Sequence, residues 1–169
     1  STIADGTAVK TPGSKLFPYL QENLDDIITV EDQELVVAFL DMVENHKMVV
    51  ENSGLLTVAA LKQLDVKDKR VVSILSGGNI DVQTLSIIIE KGLLKSHRKM
   101  IINVTLIDKP GALMALGDVL RSTGANIVKI DYDRFSTKLS YGDAKITITL
   151  ETKGKEHQDT IEKALKDAG

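Results

Sequence analysis

The sequence predicts two parts of different fold class, an α/β segment over residues 1–97 and a ferredoxin-like α+β domain over residues 98–169. The first is indicated by an apolar run, a glycine turn and an apolar-periodic segment at 70–94, the pattern of a strand followed by a helix. The second is indicated by strict apolar and polar alternation at 144–151, typical of a strand packed on one face. The basic stretch 95–99 between the two parts is expected to be a solvated linker.

The patterns before residue 97 predict an alternation of strands and helices. In order, they are a short buried strand at 26–30, a helix that begins with a capping-box-like Thr29 and Asp32 and ends near Lys47, a mostly apolar helix at 54–64, a fully buried strand at 71–75, and a helix at 82–94 with Asp81 as its N-cap. Two strands do not make a two-faced sheet by themselves, so this part is expected to pack against a larger body.

The second part follows the order β-α-β-β-α. Its elements are a strand carrying Ile102, Val104 and Leu106, a helix from Leu113 to Gly124, a strand from Asn126 to Phe135, a strand from Ala144 to Glu151, and a helix from Glu156 to Ala168. This order is one strand short of the ferredoxin-like plan.

Composition excludes several classes of function. A net charge of −3 gives no electrostatic footprint for nucleic acid or an anionic membrane. There is no cysteine, which fits the cytoplasm, and His46, His97 and His157 lie too far apart to suggest a metal site. No apolar stretch approaches the roughly 20 residues that span a bilayer. Because the chain begins at Ser1 and not at methionine, it is expected to be part of a longer protein.

The turn Ser76-Gly77-Gly78-Asn79-Ile80-Asp81 is the first candidate for a binding site. Ligands of open α/β sheets lie outside the carboxyl ends of strands, and a glycine pair lets the backbone approach a ring or phosphate closely. The pattern alone leaves a tight strand-to-helix connection as the alternative.

Two further motifs, at 2–9 and 49–60, precede this turn. The three blocks together resemble the carboxyl-terminal part of the catalytic domain of threonine dehydratases (threonine ammonia-lyases), which have the fold-type II of pyridoxal phosphate (PLP) enzymes. Downstream, Asp108-Lys109-Pro110-Gly111-Ala112-Leu113 resembles the start of an ACT regulatory domain. The resemblance covers nearly the whole chain. It implies a PLP-dependent parent lyase of isoleucine biosynthesis that acts on threonine or serine and gives a 2-oxo acid and ammonia.

The resemblance implies four cofactor-binding residues. Ser76 matches the serine that faces the pyridine nitrogen, with Gly77 beside it, while Gly6 approaches the cofactor through its backbone and Glu51 lies near the ring. A neutral hydroxyl donates a hydrogen bond without fully protonating the ring, which favours elimination over transamination. The alternatives are a turn serine, a turn glycine and a helix-start carboxylate. Glu51 is expected to be partly buried and therefore to need a partner.

No catalytic residue is expected within the 169 residues. The lysine that holds the cofactor covalently, the phosphate loop and the cation ligands lie in a preceding part of the family's sequences, and Gly13-Ser14-Lys15 has the wrong spacing for the lysine motif. The 169 residues alone are expected to be inactive and to retain little PLP. Asn52, Leu55 and Leu56 depart from the small residues usual in the family, which affects the fine geometry of the site.

The second candidate site is the loop before the first helix of the ACT-like part. Asp108 is expected to take the ammonium group of an amino acid, and the free N–H groups beside Pro110 and Gly111 its carboxylate. Asn126 matches the asparagine that the ACT family often presents from a neighbouring subunit. The alternative is that Asp108 caps the helix and Asn126 follows a tight turn.

Three functions remain open at this stage. The first is part of a threonine ammonia-lyase whose ACT domain senses isoleucine or valine and joins subunits into a homo-oligomer. The second is an amino-acid-sensing and oligomerising module without catalysis. The third is an ACT pair that serves assembly only and binds no ligand.

Overall fold

The computed structural model describes residues 2–169, which divide into two compact units, one ending at Gly92 and the other spanning Leu93–Gly169. The division falls inside a helix, before the predicted boundary after residue 97.

The amino-terminal unit is built from helical segments joined by extended loops. Its α-helices are α1 (Phe17–Asn23), α2 (Asp32–Asp41), α3 (Leu56–Ala60) and α4 (Val82–Lys95), the last of which runs into the second unit; 3-10 turns lie at Asp5–Thr7, Asn52–Leu55 and Leu61–Gln63, and a π-helical turn at Met42–His46. The predicted helix at 54–64 is therefore confirmed as a helical segment of mixed type, and the predicted helix at 82–94 is confirmed.

The start of α2 differs from the prediction. The capping box is formed by Glu31 and Glu34, not by Thr29 and Asp32, because the Glu34 carboxylate accepts a hydrogen bond from the Glu31 N–H at 2.8 Å. Asp32 instead accepts from the backbone N–H of Ile3 at 3.2 Å and so holds the start of the chain. The helix ends through the π-helical turn at Lys47, whose φ is 56°.

The core of this unit packs around α2. Phe39 and Leu55 are fully buried, and Leu35 is 1% exposed. α4 packs closely on α2, because a Cβ at Gly92 would lie 2.4 Å from Cδ1 of Leu40. Burial of these apolar side chains is the main favourable contribution to folding of the unit.

The two strands predicted in this unit, at 26–30 and 71–75, are wrong. Both segments are irregular, and Ile27, Val72 and Ile74 are 76%, 91% and 73% exposed. A strand is stable only when neighbouring backbone satisfies its N–H and C=O groups, and the described residues of this unit supply no sheet. The apolar residues of both segments match the pattern of a strand, but the described residues of this unit form no strand beside them.

The carboxyl-terminal unit has the predicted order β-α-β-β-α, which is confirmed. Its elements are β1 (Lys99–Ile107), α5 (Ala112–Thr123), β2 (Asn126–Asp133), β3 (Asp143–Glu151) and α6 (Lys155–Asp167). The sheet is antiparallel with the order β1-β3-β2, so that β3 is central. The described residues thus contain both helices and strands, as the fold class requires, and all of the strands lie in the carboxyl-terminal unit.

The central strand carries the core of this unit. The inward residues of β3 alternate with polar ones and are at most 1% exposed: Ala144, Ile146, Ile148 and Leu150. Ile146, Ile148 and Leu150 pack with Leu120 of α5 and Ile161 of α6, so both helices cover one face. All eight residues of β2 are exposed.

The stretch 95–99 is solvated as predicted, since residues 95–98 are exposed, but it is not a separate linker because it is fixed within the second unit. α4 includes Lys95 and β1 begins at Lys99. Between them, the carbonyl of His97 accepts from the Thr152 hydroxyl at 2.6 Å and from the Gly154 N–H at 3.1 Å.

The helices formed by residues 2–169 include none with the length and apolar character that a bilayer crossing requires.

Candidate functional site

The turn at 76–81 joins an extended segment to α4. Asp81 is the N-cap of that helix, as predicted, and accepts from the Thr84 N–H at 2.9 Å. The hydrogen bond from the Thr84 side chain, followed by that from its backbone, lowers the pKa of the Asp81 carboxyl. Asp81 therefore has the role of a helix cap, as expected if the turn only connects an extended segment to a helix. Ser76 and Gly77 instead contact Gly54 and Glu51.

Gly54 and Ser76 are in close backbone contact. A Cβ at Gly54 would lie 1.6 Å from the carbonyl oxygen of Ser76, a distance that no side chain can occupy. Gly54 is buried and lies in the 3-10 turn Asn52–Leu55, whereas Ser76 is exposed. The missing side chain of Gly54 thus sets the position of the Ser76 backbone.

Glu51 is tied to the same turn. Its carboxylate accepts from the Asn79 N–H at 2.9 Å, and its own N–H donates to the carbonyl of Gly77 at 3.3 Å. Gly77 has a φ of 79°, and a Cβ there would lie 2.2 Å from Oε1 of Glu51. The half-buried Glu51 therefore has the partner that its position requires, and its side chain does not cap the following helical turn.

The segment at 3–7 completes this cluster. A Cβ at Gly6 would lie 2.9 Å from the Ser53 Oγ. The Asn52 side chain donates to the carbonyl of Ile3 at 3.0 Å, so the residue that departs from the family pattern anchors this segment. Within the described part of the chain, the buried Ser53 Oγ and Asn52 Oδ1 have no hydrogen-bond partner.

These contacts bring the four predicted cofactor residues into one cluster, which we call the glycine cluster: Gly6, Glu51, Ser76 and Gly77, with Ser53 and Gly54. Ser53 and Gly54 were not predicted as site residues. The signal was present in the sequence, because both lie in the motif at 49–60. Only their contacts with Gly6 and Ser76 distinguish them from ordinary residues of a helix start.

The second site lies at the end of β1. Asp108 Oδ1 accepts from the Tyr132 hydroxyl at 2.8 Å and lies 3.3 Å from Nη2 of Arg134. The hydrogen bond to Asp108 raises the pKa of the Tyr132 hydroxyl. The Asp108 side chain makes no capping bond to α5, so the alternative that it caps this helix is wrong.

A groove of about 660 Å³ opens beside this carboxylate. Its lining consists of Asp108, Lys109, Pro110, Gly111, Leu113, Met114, Tyr132 and Arg134. The predicted residues Asp108, Pro110 and Gly111 are therefore neighbours in one groove. Gly111 has a φ of 88° at the N-cap of α5, a conformation that favours glycine.

Asn126 does not join this groove within one chain. It pairs with Glu151 in the sheet, and its side chain donates to the Glu151 carboxylate at 2.7 Å. Asp108 follows Ile107, which pairs with Asp143 at the other end of the central strand. An effector site that uses both Asp108 and Asn126 requires two copies of the chain.

Comparison with known proteins shows what the chain is similar to. Residues 1–77 match the family of "pyridoxal-phosphate dependent enzyme". Over 97% of its length the chain is 41% identical to an L-threonine ammonia-lyase of Thermotoga maritima, of which it covers 41%. It is 39% identical over 99% of its length to an L-threonine ammonia-lyase of Geobacter sulfurreducens, of which it covers 42%. The resemblance to threonine ammonia-lyases is therefore confirmed, and the chain spans about two fifths of the length of these relatives.

A crystal structure of a T.th. threonine deaminase matches 48% of this chain and 30% of that chain, at 35% sequence identity and a TM-score of 0.43.

The contact between Gly54 and Ser76 predicts a large effect for Gly54→Ala. Because the added methyl group would meet backbone atoms, the segment around Ser76 must move, and overpacking of this kind costs about 1–3 kcal/mol. The loss is measured as the decrease in the free energy of unfolding in urea, with unfolding monitored by amide hydrogen exchange in α2. Gly78→Ala is the matched control, since nothing lies within 4 Å of a Cβ added there. Equal stabilities of the two variants would contradict the close contact.

Proposed function

We propose that this chain is part of a PLP-dependent threonine ammonia-lyase, which converts threonine to 2-oxobutanoate and ammonia. In this proposal the glycine cluster forms one wall of the cofactor site, and the carboxyl-terminal unit is an ACT domain that senses isoleucine or valine and holds subunits together in the cytoplasm. The observation that carries it is the 41% identity to an L-threonine ammonia-lyase over 97% of the chain, which includes both units.

The glycine cluster has the properties of a wall against a flat ring. Gly6 and Gly77 are exposed, and the space that a Cβ would take at each is filled by Ser53 and Glu51. A planar group therefore meets these backbones from their exposed side. The exposed Ser76 is available to a ring nitrogen, and the Ser53 Oγ is a buried polar atom without a partner among the described residues. These residues fit PLP, whose ring stabilises negative charge developing on the substrate carbon.

Each residue then has a distinct task. Ser76 donates a hydrogen bond to the pyridine nitrogen and leaves it largely unprotonated, because an aliphatic hydroxyl does not give up its proton. Gly54 and Glu51 act through Ser76 and the turn at 77–79, which they hold in position. Because Ser76 would offer the ring nitrogen a neutral donor and not a proton, it would favour loss of the substrate hydroxyl over transamination.

We expect the 169 residues alone to be inactive, because the proposed site also needs a covalent lysine and a phosphate cradle that the motifs here do not supply. The measurement is threonine-dependent formation of 2-oxobutanoate with added PLP, compared with a blank without protein. Borohydride reduction provides an independent readout, and no single lysine is expected to carry a specific PLP adduct. Product above the blank, or a specific adduct, would refute this expectation.

Sensing of an amino acid is supported by the groove beside Asp108. The Asp108 side chain is 28% exposed, so its carboxylate is accessible from the groove. An ammonium group bound there would form a charged hydrogen bond, while Pro110, Leu113 and Met114 offer apolar contacts to a branched side chain. The same groove supports the second candidate, a sensing module without catalysis, because none of these contacts involves the glycine cluster.

Association of the chain is supported by β2. This strand is at the edge of the sheet and all eight of its residues are exposed, including Ile127, Val128 and Ile130. An exposed apolar edge strand is a template for pairing with another chain. Pairing of two copies is also the way in which Asn126 can reach an Asp108 groove.

Asp108→Ala should weaken binding of isoleucine or valine by about 10- to 100-fold, since a charged hydrogen bond contributes about 1.5–3 kcal/mol. Isothermal titration calorimetry measures the affinity, and the melting temperature reports the fold. Asp118→Ala is the matched control, because Asp118 is 67% exposed and pairs with Arg121 outside the groove. Equal affinities for the two variants would remove Asp108 from the site, and absence of binding by the unmutated chain would favour the assembly-only function.

A further inference from the structure

Arg134 was not predicted as a site residue, yet it lies in the groove of the second site. Its guanidinium is 3.3 Å from Oδ1 of Asp108, and the two side chains are 51% and 28% exposed. Arg134 follows the end of β2, whereas Asp108 follows the end of β1. The fold therefore places one cation and one anion side by side at the same groove.

The position of the guanidinium is fixed by its neighbours. Its Cζ atom lies 5.3 Å from the centroid of the Tyr132 ring, within the range of a cation–π interaction. The Tyr132 hydroxyl in turn donates to Asp108 Oδ1 at 2.8 Å. Arg134, Tyr132 and Asp108 thus form a closed set of three contacts that orients both charged groups before any ligand arrives.

Both charged groups retain capacity for a ligand. The contacts from Tyr132 and Arg134 use the same carboxylate oxygen, Oδ1, so Oδ2 of Asp108 is left for a second donor. A guanidinium has five N–H donors in a planar fork, and only Nη2 faces Asp108. The remaining donors match the two oxygens of a carboxylate.

The rest of the groove is apolar on the side of α5, where Pro110, Leu113 and Met114 form the lining. A ligand that satisfies the whole groove has an ammonium group, a carboxylate and an apolar side chain attached to one carbon. Free α-amino acids with aliphatic side chains have this arrangement of groups.

We propose that Arg134 binds the α-carboxylate of an aliphatic amino acid whose ammonium group binds Asp108. The ligand adds one ion pair to each charged group, at Oδ2 of Asp108 and at the remaining N–H donors of Arg134, and leaves the Arg134–Asp108 contact in place. This inference rests on the proposed sensing function and deepens it, because it assigns the carboxylate to a side chain at the end of β2 and not to the backbone of the loop alone. The site then rejects amines that lack a carboxylate.

The test compares isoleucine with isoleucinamide, which differs only by loss of the carboxylate charge. Calorimetry on the full 169-residue chain at about pH 6.5 keeps both ligands cationic at the amine, because the amide has an α-amino pKa near the peptide value of about 7.7–8.0 and the carboxylate of free isoleucine raises that of its amine further. The unmutated chain should prefer isoleucine by about 10-fold or more, the value expected for one charged hydrogen bond. Arg134→Gln should reduce this preference to within about 2-fold.

Two further variants separate charge, geometry and fold. Arg134→Lys keeps the charge and loses the fork, so it should retain a preference between those of the unmutated chain and Arg134→Gln. Arg121→Gln removes an arginine that is 82% exposed on α5 outside the groove, and it should keep the full preference. Melting temperatures of the variants confirm that each is folded.

The possible results separate the role of Arg134 from amino-acid sensing itself. If isoleucine binds and Arg134→Gln keeps the preference of the unmutated chain, the role of Arg134 is refuted while amino-acid sensing stands. If isoleucine and valine fail to bind the unmutated chain, sensing itself is refuted and the inference falls with it.

Discussion

Close backbone contact between Gly54 and Ser76 is the constraint on which the arrangement of the amino-terminal unit's candidate site depends. The segment that ends at Ser76 has no strand partner among the described residues, so a sheet does not position it. Its position depends instead on Gly54, which has no side chain and so permits the close approach, since a Cβ at Gly54 would lie 1.6 Å from the Ser76 carbonyl oxygen. Glu51 then fixes the next residues through the Asn79 N–H, and the segment at 3–7 lies against Ser53.

In the carboxyl-terminal unit, a sheet positions the residues of the candidate site. β3 lies between two antiparallel partners, and Ile146, Ile148 and Leu150 are buried against α5 and α6, so this strand is the centre of the unit's core. The charged groups Asp108 and Arg134 come from loops at the ends of the two outer strands. Loops of this kind carry binding groups because a rigid core holds their ends. One unit thus positions its site by close packing of glycines and the other by sheet register.

Local patterns predicted what local interactions determine. The strand predicted from alternation at 144–151 is formed, because both of its partner strands lie in the same unit. Asp81 could be predicted as a cap because the residue that it caps, Thr84, is close in sequence. The prediction of strands at 26–30 and 71–75 was wrong because a strand needs a partner strand, and the apolar pattern of one segment does not show whether a partner is present. Arg134 was missed for a related reason: its partner Asp108 is distant in sequence and adjacent only through the sheet. The motifs, by contrast, predicted Ser76, Gly77, Glu51 and Gly6 as site residues, and the fold brings these four residues together.

The central claim is that the glycine cluster presents the neutral hydroxyl of Ser76 to the ring nitrogen of PLP. The most direct measurement is the ¹⁵N chemical shift of ring-labelled PLP bound to the longer enzyme that the proposed function implies. We predict the shift of an unprotonated, hydrogen-bonded pyridine nitrogen, which moves towards the pyridinium value in Ser76→Asp because a carboxylate stabilises the ring proton. A pyridinium shift in the unmutated enzyme, or a shift that does not respond to Ser76→Asp, would contradict the account.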